Sequence, residues 1–326
     1  MRRRTSFLAL TGLTTLAIAA ACTTAAVTNP PFDTRDDDDA GRRRDSSRRP
    51  PDDEVPEEDP PLPDGAPPPG AVYGHTDTEL FLFEPIGKTL TKQGAFACLD
   101  TGDRMLDIAL DRDGVMFGTS DKGLLRINPT NGSCQYVKKE TVASRYPNSL
   151  SFVPKDTVDN TQEALVGYQF DVTEGSPATI YVQINTSTGA ITRRGELNDP
   201  AAAVKYKASG DLIALIRNGN RAFLTVKRIE VPDGGFNNDY LAEVDPKNGR
   251  LKSIVGEITV GTTKKTDLWG FSFWAGTGYG FAGNGELLEI DMTTGKSTVI
   301  ENDAGVTSWF GAGVKTFAPT APTPTE

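Results

Sequence analysis

Five times between Leu80 and Ile300 the chain repeats one local arrangement: an apolar strand-forming run, a turn built on Asp, Asn or Glu, and a second strand. The copies run Leu80 to Lys92, Leu124 to Val137, Ile180 to Arg193, Leu241 to Ile254 and Leu287 to Ile300. Their turns read Glu84-Pro-Ile-Gly-Lys88, Asn128-Pro-Thr-Asn-Gly132, Asn185-Thr-Ser-Thr-Gly189, Asp245-Pro-Lys-Asn-Gly249 and Asp291-Met-Thr-Thr-Gly295. The acid or amide caps the turn through its side chain, Pro presets φ, and the closing Gly takes the left-handed conformation. In the first copy Gly87 stands one place early.

A further strand pair precedes each hairpin. Its second strand carries a small residue in an apolar setting, expected at Gly74, Gly118, Gly167, Ala214 and Gly280, which lets neighbouring sheets approach. The innermost strands are expected at Leu106 to Leu110, Ser149 to Val153, Ala203 to Tyr206, Gly270 to Trp274 and Phe310 to Val314. The residues before the turns, Phe83, Ile127, Ile184, Val244 and Ile290, recur at intervals of 44 to 60 residues. Four strands per repeat of about 40 to 50 residues describe the blades of a β-propeller. The fold expected for residues 71–318 is therefore all-β, a five-bladed propeller of four-stranded antiparallel blades. The last inner strand has no following partners and the strands from Val72 have no preceding one, so the two ends complete one composite blade. Excess residues at Pro154 to Glu163, Asp171 to Ala178 and Val231 to Tyr240 read as inserted surface loops.

The Asp-Pro-x-x-Gly turns and the strand pattern resemble the propeller superfamily that includes gluconolactonase-like and quinoprotein-like proteins. The whole layout is most similar to lipobox-bearing bacterial propellers of unknown function. The resemblance rests on structural motifs and implies a fold, with no catalytic residue carried over.

Outside the repeats the composition changes. Residues 1–21 carry Arg2, Arg3 and Arg4 and an apolar run interrupted by Thr11, Gly12, Thr14 and Thr15, the pattern of an export signal rather than of a membrane span. Leu16-Ala-Ile-Ala-Ala-Ala-Cys22 resembles a lipobox, which implies an acylated Cys22 and a membrane anchor; Ala19, where that motif favours Leu, departs from it, and Ala19-Ala20-Ala21 also suits an ordinary signal peptidase, so plain secretion is the alternative. Residues 22–70 contain Asp36 to Asp39, Arg42 to Arg44, Glu57 to Asp59 and Pro67 to Pro69, with almost no large apolar residue after Phe32. Such a stretch cannot bury enough surface to fold and reads as a disordered tether, as does the tail 319–326. The expected location is the bacterial cell envelope, facing the periplasm or the exterior. With the signal and tether set aside, a net charge of −6 over residues 71–326 argues against nucleic acid as a partner of that domain. Cys98 and Cys134 form a candidate disulfide in an oxidising compartment.

Candidate chemistry is sparse. His75 is the single histidine, which excludes sites that need two imidazoles. Metal-dependent lactonases of propeller fold use a Glu, two Asn and an Asp at one channel mouth, where a hard cation collects oxygen ligands. Here the comparable strand starts offer Asp107, Asn148, Ser149 and Asp267, with no Glu beside them and Ala201 to Ala203 in blade three. Asp107 and Asp267 are also the candidate pair for a two-carboxylate hydrolase. Trp269, Trp274 and Trp309 concentrate in blades four and five, and Asp107, Asn148, Ser149, Trp269 and Trp309 form the expected rim of a ligand pocket. The leading expectation is a monomeric, non-enzymatic binding or scaffold domain for a protein, peptide or glycan, with no cofactor. A channel-centred lactonase or hydrolase with a divalent cation and a carbohydrate-binding propeller are the alternatives.

Overall fold

The chain divides into units Met1–Glu58 and Asp59–Glu326. A computed structural model describes residues 71–141, 146–170, 179–215, 220–229, 238–300 and 304–319, all in the second unit. The expected signal, Cys22, the tether, residues 171–178 and 231–237 of the inserted loops and the tail from residue 320 lie outside the described residues.

Strands β1 (Val72–His75), β2 (Glu79–Glu84) and β3 (Thr89–Ala95) come first. Blade one follows as β4 (Met105–Leu110), β5 (Met116–Ser120), β6 (Gly123–Ile127) and β7 (Cys134–Lys139). Blade two is β8 (Leu150–Val153), β9 (Ala164–Phe170), β10 (Thr179–Ile184) and β11 (Ile191–Glu196). Blade three is β12 (Tyr206–Leu215), β13 (Arg221–Arg228), β14 (Tyr240–Val244) and β15 (Leu251–Glu257). A hairpin, β16 (Thr259–Val260) and β17 (Thr263–Lys264), leads to blade four: β18 (Leu268–Trp274), β19 (Thr277–Ala282), β20 (Leu287–Asp291) and β21 (Lys296–Ile300). The last strand, β22 (Gly311–Val314), completes the set.

These strands form a five-bladed β-propeller. The composite blade has the order β22-β1-β2-β3, with Val72 opposite Val314 and His75 opposite Gly311, so the two ends of the propeller close on each other. Because side chains alternate across each strand, every blade contributes apolar residues to both of its neighbours. The core accordingly divides into five clusters, one per junction between blades. The cluster between blades two and three, for instance, packs Tyr168 and Tyr181 against Leu212, Leu224 and Val244.

The repeated turns join blades as well as closing hairpins. A Cβ at Gly94 of β3 would lie 2.0 Å from the Asn131 carbonyl oxygen in the turn of blade one. Gly195 meets Asn248 O, and Gly256 meets Thr294 O, at the same 2.0 Å. Each of these glycines sits where the outer strand slips register against its neighbour, and the bulge seats the next blade's turn. The junction from blade four to the composite blade lacks the device. There the departing first turn contributes Lys88, which pairs with Glu289 at 2.9 Å.

The sequence reading needs correction in blade three. Ser209-Gly-Asp211 resembles a turn between strands, but it is a bulge inside one ten-residue strand, β12. Ala214 therefore lies on the innermost strand, and the position equivalent to Gly74 and Gly118 is Leu224 of β13. Blade four also carries more than four strands, since β16 pairs in parallel with β21 and covers its outer edge.

Candidate functional site at the axial mouth

The inner strands all start on one face of the propeller, here termed the entry face. Pairing with the second strands aligns five residues around the axis: Asp107, Ser149, Asp211, Gly270 and Gly311. Two carboxylates fit in this ring because two of the other members have no side chain. A Cβ at Gly311 would lie 2.7 Å from Asp107 Oδ1 and 2.4 Å from His75 Nε2, and one at Gly270 would lie 2.7 Å from the Gly311 carbonyl carbon.

Asp107 and Asp211 are fully buried and tie together all five inner strands. Asp107 Oδ1 accepts from Ile108 N at 2.7 Å, and its Oδ2 accepts from Leu150 N at 2.5 Å. Asp211 Oδ2 accepts from Phe271 N at 2.9 Å and from Ala312 N at 2.6 Å. The two carboxyl groups lie close enough to interact, and a buried pair resists carrying two negative charges, which favours a proton on one of them. Asp211 Oδ1 has no backbone donor, so an ionised Asp211 would leave it a bare buried acceptor. A proton at Oδ1 removes that charge and supplies a donor that Asp107 can accept. Burial raises both carboxyls well above the usual range, and the negative charge of Asp107 raises Asp211 further.

His75 stands beside this pair, fully buried, with Nε2 3.9 Å from Asp107 Oδ1. Burial lowers its pKa to about 4, so the ring is neutral and the contact is not an ion pair at neutral pH. Nδ1 lies 2.7 Å from Thr76 O and donates to it, which leaves Nε2 as a lone pair. The matching residues on the other second strands are Thr119, Tyr168, Thr225 and Phe281.

The sequence candidates separate into distinct settings. Asp107 and Ser149 belong to the axial ring, whereas Asn148 and Asp267 are partly exposed just before β8 and β18. The acid that meets Asp107 is Asp211, which the misplaced strand of blade three concealed. Reading Ser209-Gly-Asp211 as a bulge would have aligned it. Among the described residues no set of three His, Cys, Asp or Glu side chains is arranged to hold a metal ion. Trp309 is fully buried, edge-on to Phe81 and Phe281, and its Nε1 donates to Gly285 O at 3.1 Å. Trp269 is 49% exposed and stacks on Phe310, with ring centroids 6.3 Å apart and an interplanar angle of 23°. Beside Phe310 a cavity of about 650 Å³ opens between the β1-β2 turn and residues 304–310.

Cys98 and Cys134 are bonded to each other, with Cα atoms 5.4 Å apart. In flat blades these residues would stand at opposite ends of the disc. Sheet twist carries the end of β3 round to the turn of blade one, the same approach that puts Gly94 against Asn131.

No protein-family model matches the sequence, and no curated protein matches it. Solved structures do resemble it. A Bacteroides caccae protein of unknown function is 11% identical over 75% of this chain and 98% of that one, with a TM-score of 0.36. A Lactobacillus plantarum protein is 12% identical over the same shares, also at 0.36. A gluconolactonase from Xanthomonas campestris is 12% identical over 68% of each chain, again at 0.36. At these identities and scores the likenesses assign no activity to this chain.

Proposed function

We propose that this protein is an exported, lipid-anchored binding or scaffold propeller that holds its ligand on the entry face without turning it over. The observation that carries this reading is the state of the axial acids. Asp107 and Asp211 are wholly buried and engaged with backbone N–H groups of the inner strands. A hydrolytic pair must instead reach substrate, one protonated and one ionised, from an open site. Solvent-facing features on this side include the Trp269–Phe310 pair and the adjoining cavity, which suit contact with a ligand, and the partly exposed Asp267 has no second carboxylate from the axial ring available to pair with it. The N-terminal signal, Cys22 and the charged, Pro-rich tether support presentation of the disc at a membrane surface.

The reading predicts that the full chain, made in a bacterial host, incorporates labelled palmitate only when Cys22 is present. The purified protein should show no turnover of sugar lactones or aryl glycosides, with or without added Ca²⁺ or Mn²⁺. Turnover abolished by Asp107→Asn would overturn the non-enzymatic assignment, and unlabelled, freely released protein would overturn the anchor.

A further inference from the structure

We infer that the ligand of the entry face is an uncharged saccharide, stacked on Trp269 and hydrogen-bonded in the cavity beside Phe310. This rests on the binding role proposed above and adds the ligand's chemical class.

The platform comes first. Trp269 is the one tryptophan with about half of its surface exposed, and its indole lies nearly parallel to Phe310. It lies against Gly283, where a Cβ would be 2.4 Å from the indole Nε1, so a bare backbone lets the ring settle flat. A flat indole backed by a second ring offers a broad apolar face with a polar edge, and such surfaces are enriched where one side of a partner is apolar and the other is wet. A pyranose ring has this character, with C–H groups on its face and hydroxyls round its rim.

The cavity supplies the second half. It shares Phe310 with the platform, and its other lining residues include Thr76, Thr307, Ser308 and Asp77. Lys92, its one cation, is tied to Glu79 at 2.5 Å, while Asp77 has no cationic partner among the described residues. The net field at the wall is therefore negative. It repels anionic ligands and accepts hydrogen bonds from neutral hydroxyls, which are shorter and stronger to a charged oxygen.

The test uses the purified full chain and the hexasaccharides of cellulose, laminarin, maltose and chitin, followed by tryptophan fluorescence and calorimetry. At least one should bind with a Kd of about 1 mM or tighter. Trp269→Ala should weaken it roughly ten-fold, and Asp77→Asn should weaken it as well. Trp269→Ala should keep a cooperative melt within a few degrees of wild type, which separates lost contact from lost fold. Absence of binding by all four sugars, or binding indifferent to Trp269→Ala, overturns the inference. Capture of peptides from an array, lost in Trp269→Ala, would retain the binding role and overturn the saccharide. Cleavage of a bound sugar would retain the saccharide site and overturn the non-enzymatic reading.

Discussion

Replacing Asp211 by Ala should destabilise the propeller by about 3–6 kcal/mol, much of the stability of an ordinary domain. The N–H groups of Phe271 and Ala312 would each lose their acceptor in a buried setting, at about 1–3 kcal/mol apiece. Asp107 would also lose the neighbouring carboxyl with which it interacts. Asp211→Asn is the informative partner. Its carbonyl can accept from both N–H groups and its amide can donate to Asp107, as the protonated carboxyl does, so it should cost under about 1 kcal/mol at acidic to neutral pH.

The two variants also separate by pH. The folded state raises the Asp211 pKa well above the usual carboxylate value, so its contribution to stability is fully present below the unfolded pKa near 4. It is lost as pH rises through the raised folded value, where the proton must leave a buried pair. Urea unfolding followed by circular dichroism across the neutral and alkaline range should therefore show wild type losing stability faster than Asp211→Asn. The shared-proton account is refuted if Asp211→Asn is as damaging as Asp211→Ala, or if it keeps the wild-type alkaline loss.

His75 governs the opposite limb. Its folded pKa of about 4 against 6.5 unfolded means that roughly 3 kcal/mol is lost as pH falls from 6.5 to below 4, and His75→Gln should flatten that loss in the same urea titrations. The Cys98–Cys134 bridge closes a loop spanning 36 positions. Reduction, or Cys98→Ser with Cys134→Ser, should cost about 4 kcal/mol by chain entropy, read as a lower urea midpoint; an unchanged midpoint would deny the bridge any role. Gly195→Val should destabilise by at least about 2 kcal/mol, because its Cβ would collide with the backbone oxygen of Asn248 rather than with a movable side chain. A thermal melt matching wild type would disprove the docking of turn on bulge.

Much of this architecture was legible because its signals are local. Asp245-Pro-Lys-Asn-Gly249 specifies a hairpin from its own chemistry, whatever surrounds it. Five such hairpins with paired strands before them set the blade number, and the unmatched ends required the composite blade that β22 and β1 form. The short hairpin β16-β17 escaped notice because its two-residue strands carry no periodicity and gain their order from the edge of β21. At the site, Asp107 and Ser149 could be assigned to strand starts because β4 and β8 are short apolar runs bounded by turn residues.

The sequence by itself determined the repeat, the turn chemistry, the closure between the two ends and the compositional break before residue 71. Only the tertiary structure decided what those repeats surround. Asp107 and Asp211 come from blades that are not neighbours, so no local pattern links them. They meet because Gly270 and Gly311 leave space at the axis and because a bulge re-aims β12. The stacking of Trp269 on Phe310 and the burial of Trp309 have the same origin: equivalent positions in a repeat become core or surface according to the blade packed beside them. Strand periodicity is written within a few residues of chain, whereas contacts across the axis depend on the accumulated twist and packing of all five sheets.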